Sequence, residues 1–157
     1  MILFVNRAQP FHLGHLKVVK WILDKHKNRK LCIGIGSSNE KNTKKNPFSS
    51  KIREKMIKET LKDNDIPKGR YEIIKIPDLF HEIKWPKSIL EKVRVDLVYT
   101  RNEWTKRCFE NVNVEVREHP YFEGYSGTKI REKIENNENW EKLVPGRVKG
   151  FVKKNIS

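Results

Sequence analysis

Two histidines, His12 and His15, flank Gly14 shortly after a compact apolar run, Ile2 to Val5, and a change of character through Asn6-Arg7-Ala8-Gln9-Pro10-Phe11. Apolar residues then recur as Leu16, Val19, Ile22 and Leu23, the spacing of one helix face. A three-residue separation lets both imidazoles face one side of a first helical turn, while the glycine between them lets an anion approach the backbone. The amides of that turn add favourable partial charge. Phosphate handling is the chemistry this spacing suits. Two histidines also ligate zinc, but no Cys or carboxylate lies nearby in a familiar ligand pattern, and a purely structural role is the other alternative. Arg7, at the end of the first apolar run, has a delocalised cation able to clamp phosphate oxygens; its bland alternative is an ordinary solvated arginine.

A second group lies far along the chain, Ser126-Gly127-Thr128-Lys129-Ile130-Arg131. Ser126 or Thr128 can cap a helix that begins there, Gly127 admits close backbone approach, and Arg131 sits one turn farther on, within reach of phosphates gathered at the helix start. Capping alone accounts for the Ser or Thr. It does not account for Lys129 and Arg131 following a long loop, although Lys129 can equally point into water.

Positioning these groups takes an alternation of strands and helices. Ile2 to Val5 reads as a buried strand, and Leu31 to Gly36 as a second, followed by an exposed loop from Ser37 to Asn46. Ser49 or Ser50 starts a helix with Ile52, Met56, Ile57 and Leu61 turned inward. Tyr71 to Ile76 is a third strand, Pro77 through Pro86 a long functional loop with a short helix after it, and Val93 to Tyr99 a fourth strand. Val112, Val114 and Val116 alternate with polar residues in a half-exposed fifth. Helices follow from Lys129 and from near Pro145, the latter carrying Val148, Phe151 and Val152. Such alternation favours a mostly parallel sheet covered on both faces, in which ligands bind beyond the C-terminal strand ends, where the first strand delivers Arg7, His12 and His15.

The 157 residues suit a single domain, 1–157, with a C-terminal helical segment around 128–155. Lys and Arg number 34 against 20 Asp and Glu, a formal charge of +14, so anionic partners are expected. Charge alone does not separate nucleic acid from nucleotides. The chain shows neither a recognition helix nor an RNA-binding aromatic signature, so no nucleic-acid partner is expected. Cys32 and Cys108 form no metal knuckle or redox pair, and nothing resembles a secretory segment or a membrane span. A soluble, cytoplasmic protein without a membrane partner is the expectation.

Asn6-Arg7-Ala8-Gln9-Pro10-Phe11-His12-Leu13-Gly14-His15 together with Tyr125-Ser126-Gly127-Thr128-Lys129-Ile130-Arg131 resembles the paired signatures of the HxGH nucleotidyltransferase superfamily, and more narrowly the archaeal type of nicotinamide-nucleotide adenylyltransferase. The similarity continues through Gly34-Ile35-Gly36-Ser37, Asn46-Pro47-Phe48, Asp96-Leu97-Val98-Tyr99 and Trp140 to Pro145. It implies an α/β, Rossmann-like nucleotidyltransferase fold with a mostly parallel central sheet and helices on both faces. It implies AMP transfer from ATP, with Mg2+, to nicotinamide mononucleotide, giving NAD and pyrophosphate. Adenylyl or cytidylyl transfer to another phosphorylated small molecule, and an inactive nucleotide-binding homologue, are the alternatives. By the same resemblance His12, His15, Arg7 and Arg131 are catalytic, and Arg53, Ser126, Thr128 and Lys129 join them in holding the nucleotide. Asp78, Trp85 and Asn102 hold the acceptor, with Trp85 able to stack on a pyridinium ring. No metal ligands are expected from the protein. The resemblance also implies a homo-oligomer, with a hexamer as the suggested form.

The match departs from the family at Asn6, which replaces a usual glycine, at Leu13, where a basic residue is often found, and at Glu82, which replaces an asparagine. Thr100-Arg101-Asn102 differs from the usual small-residue strand end. An ionised Glu82 has no amide donor and would repel a nicotinate carboxylate at close approach, while Arg101 could reverse that preference by pairing with the acid.

Overall fold

The computed structural model describes residues 1–155. Elements alternate as expected: β1 (Ile2–Asn6), α1 (Leu13–Lys25), β2 (Leu31–Ile35), α2 (Ser50–Asp63), β3 (Tyr71–Lys75), α3 (Lys84–Lys92), β4 (Leu97–Tyr99), α4 (Glu103–Asn111), β5 (Glu115–Arg117), α5 (Gly127–Glu135) and α6 (Gly146–Asn155). The strands form one sheet in the order β3-β2-β1-β4-β5, and every pairing is parallel. Ile2 therefore sits between Leu31 on one side and Leu97 on the other. Chain progression reverses at β1, so the crevice beyond the C-terminal ends of β1 and β4 is the topological switch point where such sheets take ligands.

Two apolar layers cover the sheet. Ile2 and Phe4 on β1, with Leu31, Ile33 and Ile35 on β2, join α1 through Leu16, Val19 and Ile22, α2 through Met56, Ile57 and Leu61, and α6 through Val148 and Val152. Leu3, Cys32 and Val98 join α3 through Trp85 and Ile89 and α4 through Cys108 and Phe109. The period-two alternation of β1 thus feeds both layers, and all five residues of β2 are buried, which is why both strands read as continuous apolar runs. Both cysteines are buried and unpaired.

Some boundaries differ from the sequence reading. The fourth strand is confined to Leu97–Tyr99, with Val93 and Val95 buried in the approach to it. Pro86 lies inside the first turn of α3, where a missing amide costs no helical bond, so the loop after β3 ends sooner than Pro77 through Pro86 suggested. Ser126, not Thr128, caps α5, accepting from the backbone N–H of Lys129.

Candidate active site

Helix α1 begins with a reciprocal cap made of two histidines. His12 Nδ1 accepts from the His15 amide at 3.3 Å, and His15 Nδ1 accepts from the His12 amide at 3.1 Å. This is the capping-box arrangement with imidazoles in place of a hydroxyl and a carboxamide. Each Nδ1 must be a lone-pair acceptor, so each neutral ring carries its proton on Nε2 and offers that N–H outward. The rings stack with centroids 3.6 Å apart, and His15 stacks on Phe11 at 5.4 Å. His12 is only 7% exposed. Burial first, and Arg131 second, push its pKa down to about 4. Burial, His12 and His119 hold His15 well below the usual imidazole range. Both histidines are thus fixed as neutral N–H donors near pH 7, suited to phosphate oxygens.

Gly14 is required by close approach. A Cβ there would stand 2.8 Å from Tyr125 Cβ and 2.9 Å from His12 Cε1. That contact lays Tyr125 alongside His12, with near-parallel rings 6.2 Å apart, and so brings the segment before α5 against the start of α1. Arg131 completes the junction by donating to Gln9 O at 2.9 Å and Thr128 Oγ1 at 3.3 Å. Its pKa is lowered by burial and then by Arg7, so these arginines face one another's field with only Glu132 opposing at Arg131. Two cations in one another's field, Arg7 just past β1 and Arg131 within α5, are suited to attract an anion. Lys129 and Thr128 are exposed on the first turn of α5, and Ser126 Oγ is engaged by the cap.

Arg53 corrects the expectation of a phosphate contact. It is 0% exposed. Its Nε donates to Ser49 O, one terminal nitrogen to Arg7 O and Gly36 O, and the other to Ser37 O and Glu40 O. Each guanidinium donor is directed at a main-chain carbonyl, leaving none facing a ligand. Burial and then Arg7 lower its pKa to about 10, so it stays charged at neutral pH. Arg53 ties the loops after β1 and β2 together beneath the site. Gln9, which sequence reasoning missed, does similar work by exchanging two hydrogen bonds with the main chain of Phe48, at 3.0 and 2.9 Å. A buried Gln within a loop opposite Asn46-Pro47-Phe48 was its only sequence trace.

Two cavities meet at the ends of β1 and β4. The first, about 560 Å³, is lined by His12, Gly14 and His15 together with His119, Tyr121 and Tyr125. The second, about 450 Å³, is lined by Arg7, Gly36 and Ser37 with Asp78, Trp85 and Trp104. Asp78 Oδ1 accepts from Ser37 Oγ at 2.9 Å, and the Asp78 amide donates to Asn39 Oδ1. Trp85 is 6% exposed, packed against Trp104 at 5.0 Å and Phe109 at 5.7 Å, so the residue lining the cavity is also a core anchor. Asn102 borders both cavities while its Oδ1 caps α4.

Glu82 and Arg101 do not oppose each other across the second cavity. Glu82 is exposed, pairs with Arg107 at 3.4 Å, and lies outside the lining of that cavity. Arg101 lines the first cavity instead, pairing with Glu118 at 3.2 Å and lying over the Tyr121 ring. Their separation reflects the sheet: Glu82 precedes α3, while Arg101 leaves β4 toward the β5 side. His119 was also missed from sequence; it meets Phe4 edge-on at 5.6 Å and closes the first cavity.

A parallel sheet whose switch point presents neutral histidine donors and clustered arginines beside two adjoining cavities defines a nucleotidyltransferase class of domain. The cytidylyltransferase-like family matches residues 3–133. Nicotinamide-nucleotide adenylyltransferase from Saccharolobus solfataricus is 37% identical, covering 96% of this chain and 88% of the relative. The protein of the same description from Thermoplasma volcanium is 39% identical, covering 90% and 79%. The crystal structure of a bifunctional NMN adenylyltransferase/ADP ribose pyrophosphatase from Francisella tularensis, complexed with AMP and a Mn ion, superposes with a TM-score of 0.76 at 25% identity, covering 98% of this chain. This chain spans 48% of that one. The chain belongs to the cytidylyltransferase-like family and, within it, to the nicotinamide-nucleotide adenylyltransferases.

Proposed function

We propose that this enzyme transfers AMP from ATP to nicotinamide mononucleotide, with ATP in the cavity beside His12 and His15 and the acceptor in the cavity beside Asp78 and Trp85. The observation that supports this reading is the pair of cavities sharing one wall at the sheet's switch point, with His12 and His15 lining one and Arg7 the other. An acceptor phosphate oxygen attacks the α-phosphorus, a new P–O bond forms, the bond to the β-phosphoryl oxygen breaks, and pyrophosphate leaves. The attacking phosphate has a second pKa of about 6 and is already ionised, so no general base is needed. His12 and His15 donate from Nε2 to phosphate oxygens, and Arg7 and Arg131 balance charge on the nonbridging and leaving oxygens. Ser126, Thr128 and Lys129 bring the first turn of α5 to the same phosphates, and Asn102 borders the acceptor.

Among the described residues no cluster of three His, Cys, Asp or Glu side chains is arranged to hold an ion. Magnesium would enter on the triphosphate as part of the substrate, held by its oxygens and retained waters. The proposal takes residues 1–157 as one domain, working in the cytoplasm as a homo-oligomer, with a hexamer as the form to test by mass in solution. No described helix is long and apolar enough to cross a membrane.

A competition assay with ATP, magnesium and a panel of phosphorylated acceptors, scored by product mass, tests the reaction. Nicotinamide mononucleotide should give the highest kcat/KM. Preference for a sugar phosphate or phosphopantetheine would overturn the acceptor, and absence of any product would leave an inactive homologue.

A further inference from the structure

β1 ends on Asn6, and both polar atoms of its side chain, Oδ1 and Nδ2, are buried without a hydrogen-bond partner. Native proteins leave few such groups, because an amide withdrawn from water and unpaired is costly, so an orphaned one calls for a partner that arrives later. The residue's main chain is fixed: Asn6 O accepts from the Gly36 amide at 2.9 Å. Only the carboxamide is idle.

Asn6 is one of four residues common to the linings of the two cavities, with Val5, Thr100 and Asn102. Val5 is apolar. Thr100 Oγ1 accepts from the Asn102 amide, and Asn102 Oδ1 accepts from the amide and hydroxyl of Thr105. Within the shared wall, Asn6 alone has a side chain with neither polar atom engaged. Arg7 lines one cavity and His12 and His15 the other, so the seam between them is where a group passing from one ligand to the other must stand.

We propose that the Asn6 carboxamide contacts the substrates at that seam, Nδ2 donating to a nonbridging oxygen of the phosphoryl group as it is transferred. The inference rests on the transfer reading above and adds a residue to it. A neutral donor at this point completes a set otherwise made of imidazoles and guanidiniums, and it touches the one group that both ligands share. Its contribution concentrates in the transition state and falls on kcat more than on the KM of either ligand.

Asn6→Ala and the near-isosteric Asn6→Asp test this. Three quantities are measured for each: melting without ligand, binding of magnesium–ATP and of nicotinamide mononucleotide separately, and steady-state turnover. Asn6→Ala should melt at or above the wild-type temperature, because it removes an unpaired buried amide, yet lose about tenfold in kcat with each binding constant changed less than about threefold. Asn6→Asp should lose more, since it exchanges the donor for an anion beside phosphates. A lower melting temperature with kcat retained would assign Asn6 a structural role and overturn the proposal, as would full turnover by both variants. If the wild type binds both ligands but forms no dinucleotide, the transfer reading itself falls and takes this inference with it.

Discussion

The cavity beside the histidines and the cavity beside Asp78 share a wall but are held by different means. The first is lined by the reciprocally bonded His12 and His15, and Tyr125 in its wall leads into α5, which is tied back by the long-range bond from Arg131 to Gln9 O. The second is rimmed by the segment after β3, where Leu79 and Ile83 are exposed and Phe80 is 90% exposed. There the His81 ring accepts from the amides of Ile83 and Lys84, Asp78 is held by Ser37 and Asn39, and Glu82 pairs with Arg107 at the surface. On the proposed assignment, the donors for transfer stand on hydrogen-bonded helix starts, whereas the acceptor lies beside a loop with an exposed apolar rim. Rigid donors suit stabilisation of a charge distribution that is the same for every substrate, while a loop rim suits the part that differs.

The largest expected effect comes from Arg53, which bonds the main chain of Arg7, Gly36 and Ser37 in the wall of the second cavity. Arg53→Ala leaves several buried carbonyls without a donor and should lower unfolding free energy by at least about 3 kcal/mol, read by urea denaturation. Retention of wild-type stability would contradict the keystone role and restore Arg53 to the ligand side. Next, His12→Ala should lower kcat about 10²–10³-fold while costing only about 1 kcal/mol of stability through the lost cap. Near-normal turnover would remove His12 from the transfer step.

A pH titration of stability sharpens the same comparison. The folded pKa of His12, about 4, lies below its ordinary 6.5, so the folded state favours the neutral ring. Its contribution is therefore fully present above about pH 6.5 and is lost as pH falls toward 4, on the order of 3 kcal/mol in total. His15 is displaced in the same direction and adds to the loss. Stability in urea measured at several pH values should decline through that window, with a shallower slope in His12→Ala; a flat profile would contradict the buried neutral pair. The smallest effect belongs to the acceptor rim: Glu82→Gln should change the ratio of nicotinamide to nicotinate mononucleotide turnover by less than about twofold, because its carboxylate faces Arg107 and not the cavity. A tenfold change in that ratio would place Glu82 against the acceptor after all.

What was legible in the sequence follows the same division. His12 and His15 are three residues apart, as are Thr128 and Arg131, so their shared faces could be read directly. Strand alternation likewise exposed the parallel sheet. Arg53 could not be read this way: its place on α2 looks like that of any arginine on a basic helix, and only the meeting of the loops after β1 and β2 surrounds it with carbonyls. Arg101 and Glu82 are both departures from the same family pattern, but the fold separates them: Arg101 lines the first cavity, and Glu82 is exposed beside Arg107 and lines neither. Gln9 and His119 act across 39 residues to Phe48 and through a T-shaped contact to Phe4, distances over which no local period carries information.

In the proposed reaction the adenylyl group, carrying the α-phosphorus of ATP, is what moves. Incubating the enzyme with magnesium, nicotinamide mononucleotide and ATP labelled at either the α- or the γ-phosphorus tests it directly. The α-label should appear in the dinucleotide and the γ-label in pyrophosphate, with product and pyrophosphate formed in equal amounts. Transfer of the γ-label to the acceptor, or release of labelled inorganic phosphate without a dinucleotide, would contradict it.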